Sequence, residues 1–121
     1  MAEINVLLVD DEEDYVEVLA ERLNLRALAV RGVTSGELAL KALNDQPVDV
    51  VVLDVSMPGM GGGKCLTELL KINPEARVII SSGYSLDGPL QDILSSGASG
   101  FVSKPFSISN LLIAIRQVLG Q

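Results

Sequence analysis

Val6-Leu7-Leu8-Val9 and Val50-Val51-Val52-Leu53 are apolar at every position, without the alternation of a strand that has one face in water. Runs of this length and kind are expected to be strands covered on both faces, as in a parallel sheet with helices above and below it. Val78-Ile79-Ile80 and the shorter Phe101-Val102 repeat the pattern. Arg26-Ala27-Leu28-Ala29-Val30-Arg31 is a weaker strand, since alanine favours strands poorly and both ends are charged, and it is placed at a sheet edge.

The intervening segments have helical spacing. Val16, Leu19, Ala20 and Leu23 fall at i, i+3, i+4 and i+7, and Leu111, Ala114, Ile115 and Val118 do the same. Thr34 followed by Glu37 reads as a capping box that opens a helix burying Ala39, Ala42 and Leu43. A further helix carries Cys65, Leu66, Leu69 and Leu70, ends before Pro74, and is expected to fray at its start through Gly61-Gly62-Gly63. Between Asp87 and Gly97 there is room for a short helix, started by Pro89 and stopped by Gly97, expected to be the least stable. Five strands alternating with five helices predict a three-layer α/β sandwich around a five-stranded parallel sheet. At 121 residues, with no linker, repeat or low-complexity tract, the chain is read as one domain, 1–121.

Composition removes several function classes. A formal net charge of -7 and a pI near 4.4 argue against direct nucleic acid binding, which needs clustered Lys and Arg. No apolar stretch approaches the roughly 18 residues of a membrane span. The start Met1-Ala2-Glu3-Ile4-Asn5 has no secretory pattern, so the expected compartment is the cytoplasm. Cys65 is the only cysteine, which rules out an internal disulfide or a multi-thiolate metal site and leaves it a core residue. With no histidine, the chain has no His-based triad, zinc site or phosphohistidine of its own.

The polar residues that follow the strands form a chemical set. Asp10 and Asp11 follow the first strand, Asp54 the third, Ser81 and Ser82 the fourth, and Lys104-Pro105 the fifth. In a doubly wound sheet the carboxyl ends of the strands converge on one crevice, so these groups are expected to face one another. Three carboxylates together call for a cation, and oxygen-only donors that leave room for water and phosphate oxygens suit Mg²⁺. Lys104 supplies a positive charge suited to a phosphoryl oxygen, and a serine hydroxyl can donate to another. Asp10-Asp11 also reads as a solvated helix start, and Tyr15 and Phe106 as packing residues.

Four segments carry a resemblance over nearly the whole chain. They are Val6 to Asp11 (V-L-L-V-D-D), Leu53 to Gly59 (L-D-V-S-M-P-G), Ile80 to Tyr84 (I-S-S-G-Y) and Gly97 to Phe106 (G-A-S-G-F-V-S-K-P-F). In order and spacing they resemble the receiver domains of bacterial two-component response regulators. The resemblance implies a flavodoxin-like (βα)5 fold with strand order 2-1-3-4-5. It implies that Asp54 accepts a phosphoryl group from the phosphohistidine of a histidine kinase or phosphotransfer protein. It further implies that Asp10, Asp11, Asp54 and the backbone carbonyl of Ser56 hold Mg²⁺. Lys104 matches the lysine that contacts the phosphoryl group, Ser82 rather than Ser81 the switch hydroxyl, Gly83 a backbone contact to it, and Phe101 the aromatic switch. Lys104-Pro105 matches a cis peptide bond. Output is expected through the face of the fourth helix, fifth strand and fifth helix, toward a target that no residue pattern specifies.

Ser56 and Tyr84 occupy the variable positions flanking the acceptor, where a bulky Tyr84 is expected to shield an acyl phosphate from water. An aspartate-nucleophile phosphatase of the haloacid dehalogenase type would need a second Asp two residues after Asp54, where Ser56 stands, and a cap domain. A flavodoxin-like electron carrier would need a Ser/Thr-rich phosphate loop after the first strand. A degenerate receiver used only for docking is disfavoured by the complete set of site residues. The chain is either a single-domain regulator or a piece of a longer protein, its Ser-Gly-Tyr and Lys-Pro-Phe surroundings being similar to receivers fused to hybrid sensor kinases.

Overall fold

The computed structural model describes residues 4–26, 28–55, 62–83 and 88–120, with side chains throughout except at 62 and 88–91. Ser56, the turn from Met57 to Gly61, and Tyr84 to Asp87 lie outside these stretches. Elements alternate along the chain: β1 (Ile4–Val9), α1 (Glu13–Asn24), β2 (Leu28–Val33), α2 (Gly36–Asp45), β3 (Val50–Asp54), α3 (Gly62–Ile72), β4 (Arg77–Ser82), α4 (Gly88–Ser95), β5 (Gly100–Ser103) and α5 (Ile108–Val118). The strands form one parallel sheet in the order β2-β1-β3-β4-β5, as the resemblance implied.

Each strand sends alternate side chains to opposite faces, and both faces are covered. Leu7, Val9, Val51, Leu53, Val78 and Ile80 pack with Ala39, Ala42 and Leu43 of α2 and with Cys65, Leu66 and Leu69 of α3. Val6, Leu8, Val50, Val52 and Ile79 pack with Leu19 and Leu23 of α1 and with Leu111, Leu112 and Ile115 of α5. All five residues of β3 are buried, Asp54 included. Cys65 is fully buried, and burial, followed by the charge of Glu37, pushes its thiol up to about 11, which keeps it protonated and inert at neutral pH.

Two local expectations need correction. The cap of α2 is Ser35, not Thr34: the Ser35 hydroxyl accepts from Leu38 N–H at 3.1 Å, and the third helical residue is then Leu38, so no reciprocal Glu completes a capping box. The second strand runs Leu28–Val33, two residues later than the charged ends of the sequence segment suggested, although it does sit at the sheet edge.

At Gly32, α1 packs tightly against β2. A Cβ built there would stand 2.2 Å from Cγ1 of Val16, a side chain that is itself buried and short. Gly32→Ala is expected to lower the unfolding free energy by about 1–3 kcal/mol through overpacking. In denaturant titration, the double variant with Val16→Ala should lose less than the sum of the two single changes.

Candidate functional site

The carboxyl ends of β1, β3, β4 and β5 meet on one rim, and backbone bonds pin the residues that leave them. Asp10 N–H donates to Val33 O at 3.2 Å, Val55 N–H to Ser81 O at 3.2 Å, and Lys104 N–H to Ser82 O at 2.8 Å. The sheet ladder thus continues one step past each strand and fixes where the side chains begin.

Asp10 and Asp54 are buried, at 5% and 4% exposure, whereas Asp11 is exposed. One carboxylate oxygen from each of the three lies within 4.8 Å of the others. Asp10 Oδ1 accepts from Glu12 N–H at 3.0 Å and so leads the chain into α1, whose cap residue Glu12 makes no side-chain cap bond. The pair therefore starts a helix and also lines the crevice.

Lys104 reaches across from the far side. Its Nζ donates to Asp10 Oδ2 at 2.7 Å and lies 3.6 Å from Asp54 Oδ2. The largest single influence on this ammonium, burial, lowers its pKa, but the hydrogen bond and charge of Asp10, with Asp54 and Tyr15, outweigh it and hold the group above its ordinary value. Two unit charges 4 Å apart interact by about 4 kcal/mol at an effective dielectric of 20. Repulsion among three clustered carboxylates is therefore large, and one ammonium leaves the group at a net charge of -2. The all-oxygen donor set fits a hard divalent cation that would complete the balance.

Two further residues border this group: Tyr15, read from the sequence as packing, and Ser81, which the sequence placed among the strand-end residues. The Tyr15 ring lies 5.1 Å from Lys104 Nζ, within cation–π range. Burial, offset by Lys104 and reinforced by the nearby carboxylates, raises the Tyr15 phenol above its usual value, so the ring stays neutral. Its position in the first turn of α1, beside the buried Val16, was the available signal. Ser81 pairs with Asp54 in the β3–β4 register, and strand alternation gives it the face of Ile79 rather than that of Ile80.

Ser82 is fully buried at the end of β4, on the opposite face from Ser81, and pairs with Ser103. Gly83 is exposed, with open space where a Cβ would stand. Phe101 is half-buried, sits opposite Ile80, and packs on the α2–α3 side of the sheet. The Lys104–Pro105 peptide bond is cis. Ser56 and Tyr84 lie outside the described residues. A cavity of about 490 Å³ near the β2 edge, lined by Asn5, Leu28, Arg31 and Gln46 among others, contains none of these groups.

The family model of the response regulator receiver domain matches residues 6–116. Among curated proteins, the chain is 35% identical to the sensor kinase CckA of Brucella abortus, over 94% of this chain but 12% of that protein. It is 30% identical to the chemotaxis protein CheY of Thermotoga maritima, over 93% of this chain and 95% of that one. A solved CheY-like receiver domain from Methanospirillum hungatei superposes with a TM-score of 0.91 at 22% identity, covering 98% of this chain and 95% of its own, a likeness of fold.

Removing the ammonium tests the charge balance. Lys104→Met is expected to destabilise the fold by about 1–3 kcal/mol at neutral pH, because two buried carboxylates lose their cation while the lysine head is partly solvated. Added divalent cation should recover most of that loss in thermal melts, and Asp10→Asn in the same background should make the recovery smaller.

Proposed function

We propose that this chain, which belongs to the response regulator receiver domain family, is a phosphorylation-controlled signalling switch whose acceptor is Asp54. Residues 1–121 act as one receiver domain in the cytoplasm, and the chemistry changes the chain itself rather than an outside substrate. The observation that supports this is a carboxylate 4% exposed at the end of a wholly apolar strand, with two other carboxylates beside it and an ammonium at 3.6 Å. An aspartate of this kind is a nucleophile able to form an acyl phosphate.

The donor is the phosphohistidine of a histidine kinase or a phosphotransfer protein. An Asp54 carboxylate oxygen attacks the phosphorus, the phosphorus–nitrogen bond breaks, and its electron pair stays on the departing imidazole. Asp10, Asp11, Asp54 and the Ser56 carbonyl would hold Mg²⁺, which supplies charge compensation and orientation for in-line transfer. Lys104 gives up its bond to Asp10 for an oxygen of the transferred group. Ser82 donates to a second oxygen, with the Gly83 backbone beside it. Phe101 then repacks, and the face of α4, β5 and α5, where Ile113 is 52% exposed, changes its affinity for a protein target. Tyr84 slows loss of the phosphoryl group by shielding it from water.

Incubation with acetyl phosphate and Mg²⁺, followed by intact mass, should give one phosphoryl adduct, and none with chelator or in Asp54→Asn. An adduct that persists in Asp54→Asn would overturn the assignment. Tyr84→Ala should shorten the adduct's half-life severalfold, and an equal or longer half-life removes the shielding role. Phe101 should change rotamer between the resting protein and a beryllofluoride complex; one unchanged rotamer defeats its switch role.

A further inference from the structure

Lys104 carries its ammonium on a flexible four-carbon stem, with 23% of the side chain exposed, and a charge so mounted swings unless something confines it. Asp10 and Asp54 draw it into the crevice, at 2.7 Å and 3.6 Å from Nζ. On its other side Lys104 lines an open hollow of about 280 Å³ together with Glu12, Tyr15, Pro105 and Phe106. Glu12 is exposed and its side chain makes no cap bond to α1. An ammonium that turned into this hollow would meet solvent and the Glu12 carboxylate and would no longer face Asp54. Tyr15 stands where the two alternatives meet. Lys104 Nζ lies over its ring, 5.1 Å from the centroid, and the same side chain borders a small enclosed pocket with Asp10 and Asp54. The charges of Lys104, Asp10, Asp54 and Glu12 all act on its phenol, so the inner and the outer carboxylates are both near it. An aromatic face attracts a cation through its quadrupole but has no net charge, so it can hold the ammonium in place and still leave it to exchange Asp10 for another oxygen.

We propose that Tyr15 is a positioning residue for phosphoryl transfer: its ring keeps the Lys104 ammonium turned into the crevice and away from Glu12. The role in transfer rests on Asp54 being the phosphoacceptor, whereas the hold on Lys104 does not. Packing alone would ask only for an apolar side chain of similar size in the first turn of α1, and leucine would serve. Holding a cation asks for an aromatic face, so phenylalanine serves and leucine does not. Glu12 is part of the same balance. Once the ring is gone its carboxylate competes with Asp10 for the ammonium, and the incoming phosphoryl group loses the charge that Lys104 would bring to it.

The test compares the wild type with Tyr15→Phe, Tyr15→Leu and the double variant Tyr15→Leu/Glu12→Gln, following adduct formation from acetyl phosphate and Mg²⁺ by intact mass. Tyr15→Leu should melt near the wild-type temperature and take up phosphoryl groups about fivefold more slowly, whereas Tyr15→Phe should stay within about twofold of the wild type. Adding Glu12→Gln to Tyr15→Leu should recover most of the lost rate. If leucine unfolds the chain, Tyr15→Met replaces it with the same expectations. A wild-type rate in the aliphatic variant, an equal loss in Tyr15→Phe, or no recovery with Glu12→Gln overturns the proposal. If the wild type takes no phosphoryl group, the phosphoacceptor reading fails and the role in transfer falls with it. Crystal structures of the wild type and the aliphatic variant then read the hold by itself: Lys104 Nζ should stay on Asp10 in the first and turn toward Glu12 in the second, and an unmoved ammonium in the variant overturns it.

Discussion

A parallel sheet covered on both faces leaves its polar side chains one place to stand, the ends of the strands. In β3 every residue is buried, and its neighbours are apolar in β1 except at Asn5 and in the middle of β4, Val78 to Ile80. The interior of such a sheet has no room for an unpaired charge, since transfer of an ionised group to a low-dielectric medium costs far more than a domain's net stability. Asp10, Asp54 and Lys104 are tolerated because they stand at the last steps of the ladder, at the rim of the sheet. The crevice at the rim is therefore a consequence of how the core is closed.

Gathering carboxylates at that rim creates a second constraint. Like charges within 4.8 Å oppose the fold, and Lys104 relieves the strain only in part. The short bond is to Asp10, with Asp54 the more distant partner, so Lys104 holds the carboxylate proposed as acceptor less closely than its neighbour. A nucleophile bonded tightly to an ammonium would be poorer for it. The arrangement keeps the ammonium within reach of Asp54 without a short bond between them. Tyr15 adds to this by placing an uncharged ring near Lys104, which narrows the directions the ammonium can take.

The strands and helices were legible because their signals are repetitive: three or four consecutive apolar residues, or several at helical spacing. The edge position of β2 followed from the alanines and arginines of residues 26–31. What the sequence obscured were features decided by one residue's geometry. Thr34 and Ser35 are equally good caps by type, and only the entry of the chain into α2 decides between them. Tyr15 was read as packing because side chains beside an apolar helical stripe usually pack, and its neighbour Lys104 is 89 residues away in the chain. Asp10, Asp54 and Lys104 could be placed together from strand-end position alone, with their roles supplied by resemblance. That the buried Ser81 hydroxyl has no hydrogen-bond partner depends on what surrounds it in three dimensions.

β4 ends in two serines that alternation sends to opposite sides of the sheet. Ser81 shares the side of Asp10 and Asp54, and Ser82 shares the side on which Phe101, Leu94 and Ile93 pack. In the proposed mechanism Ser82 is the serine that donates to the transferred group. The division holds only while the register holds, because a slip of one residue would exchange the faces of the two serines. Ile79 and Ile80, both fully buried and each committed to a different layer of helices, make that slip prohibitively costly. The apolar core thus decides which side of the sheet each serine takes, two residues before either one begins.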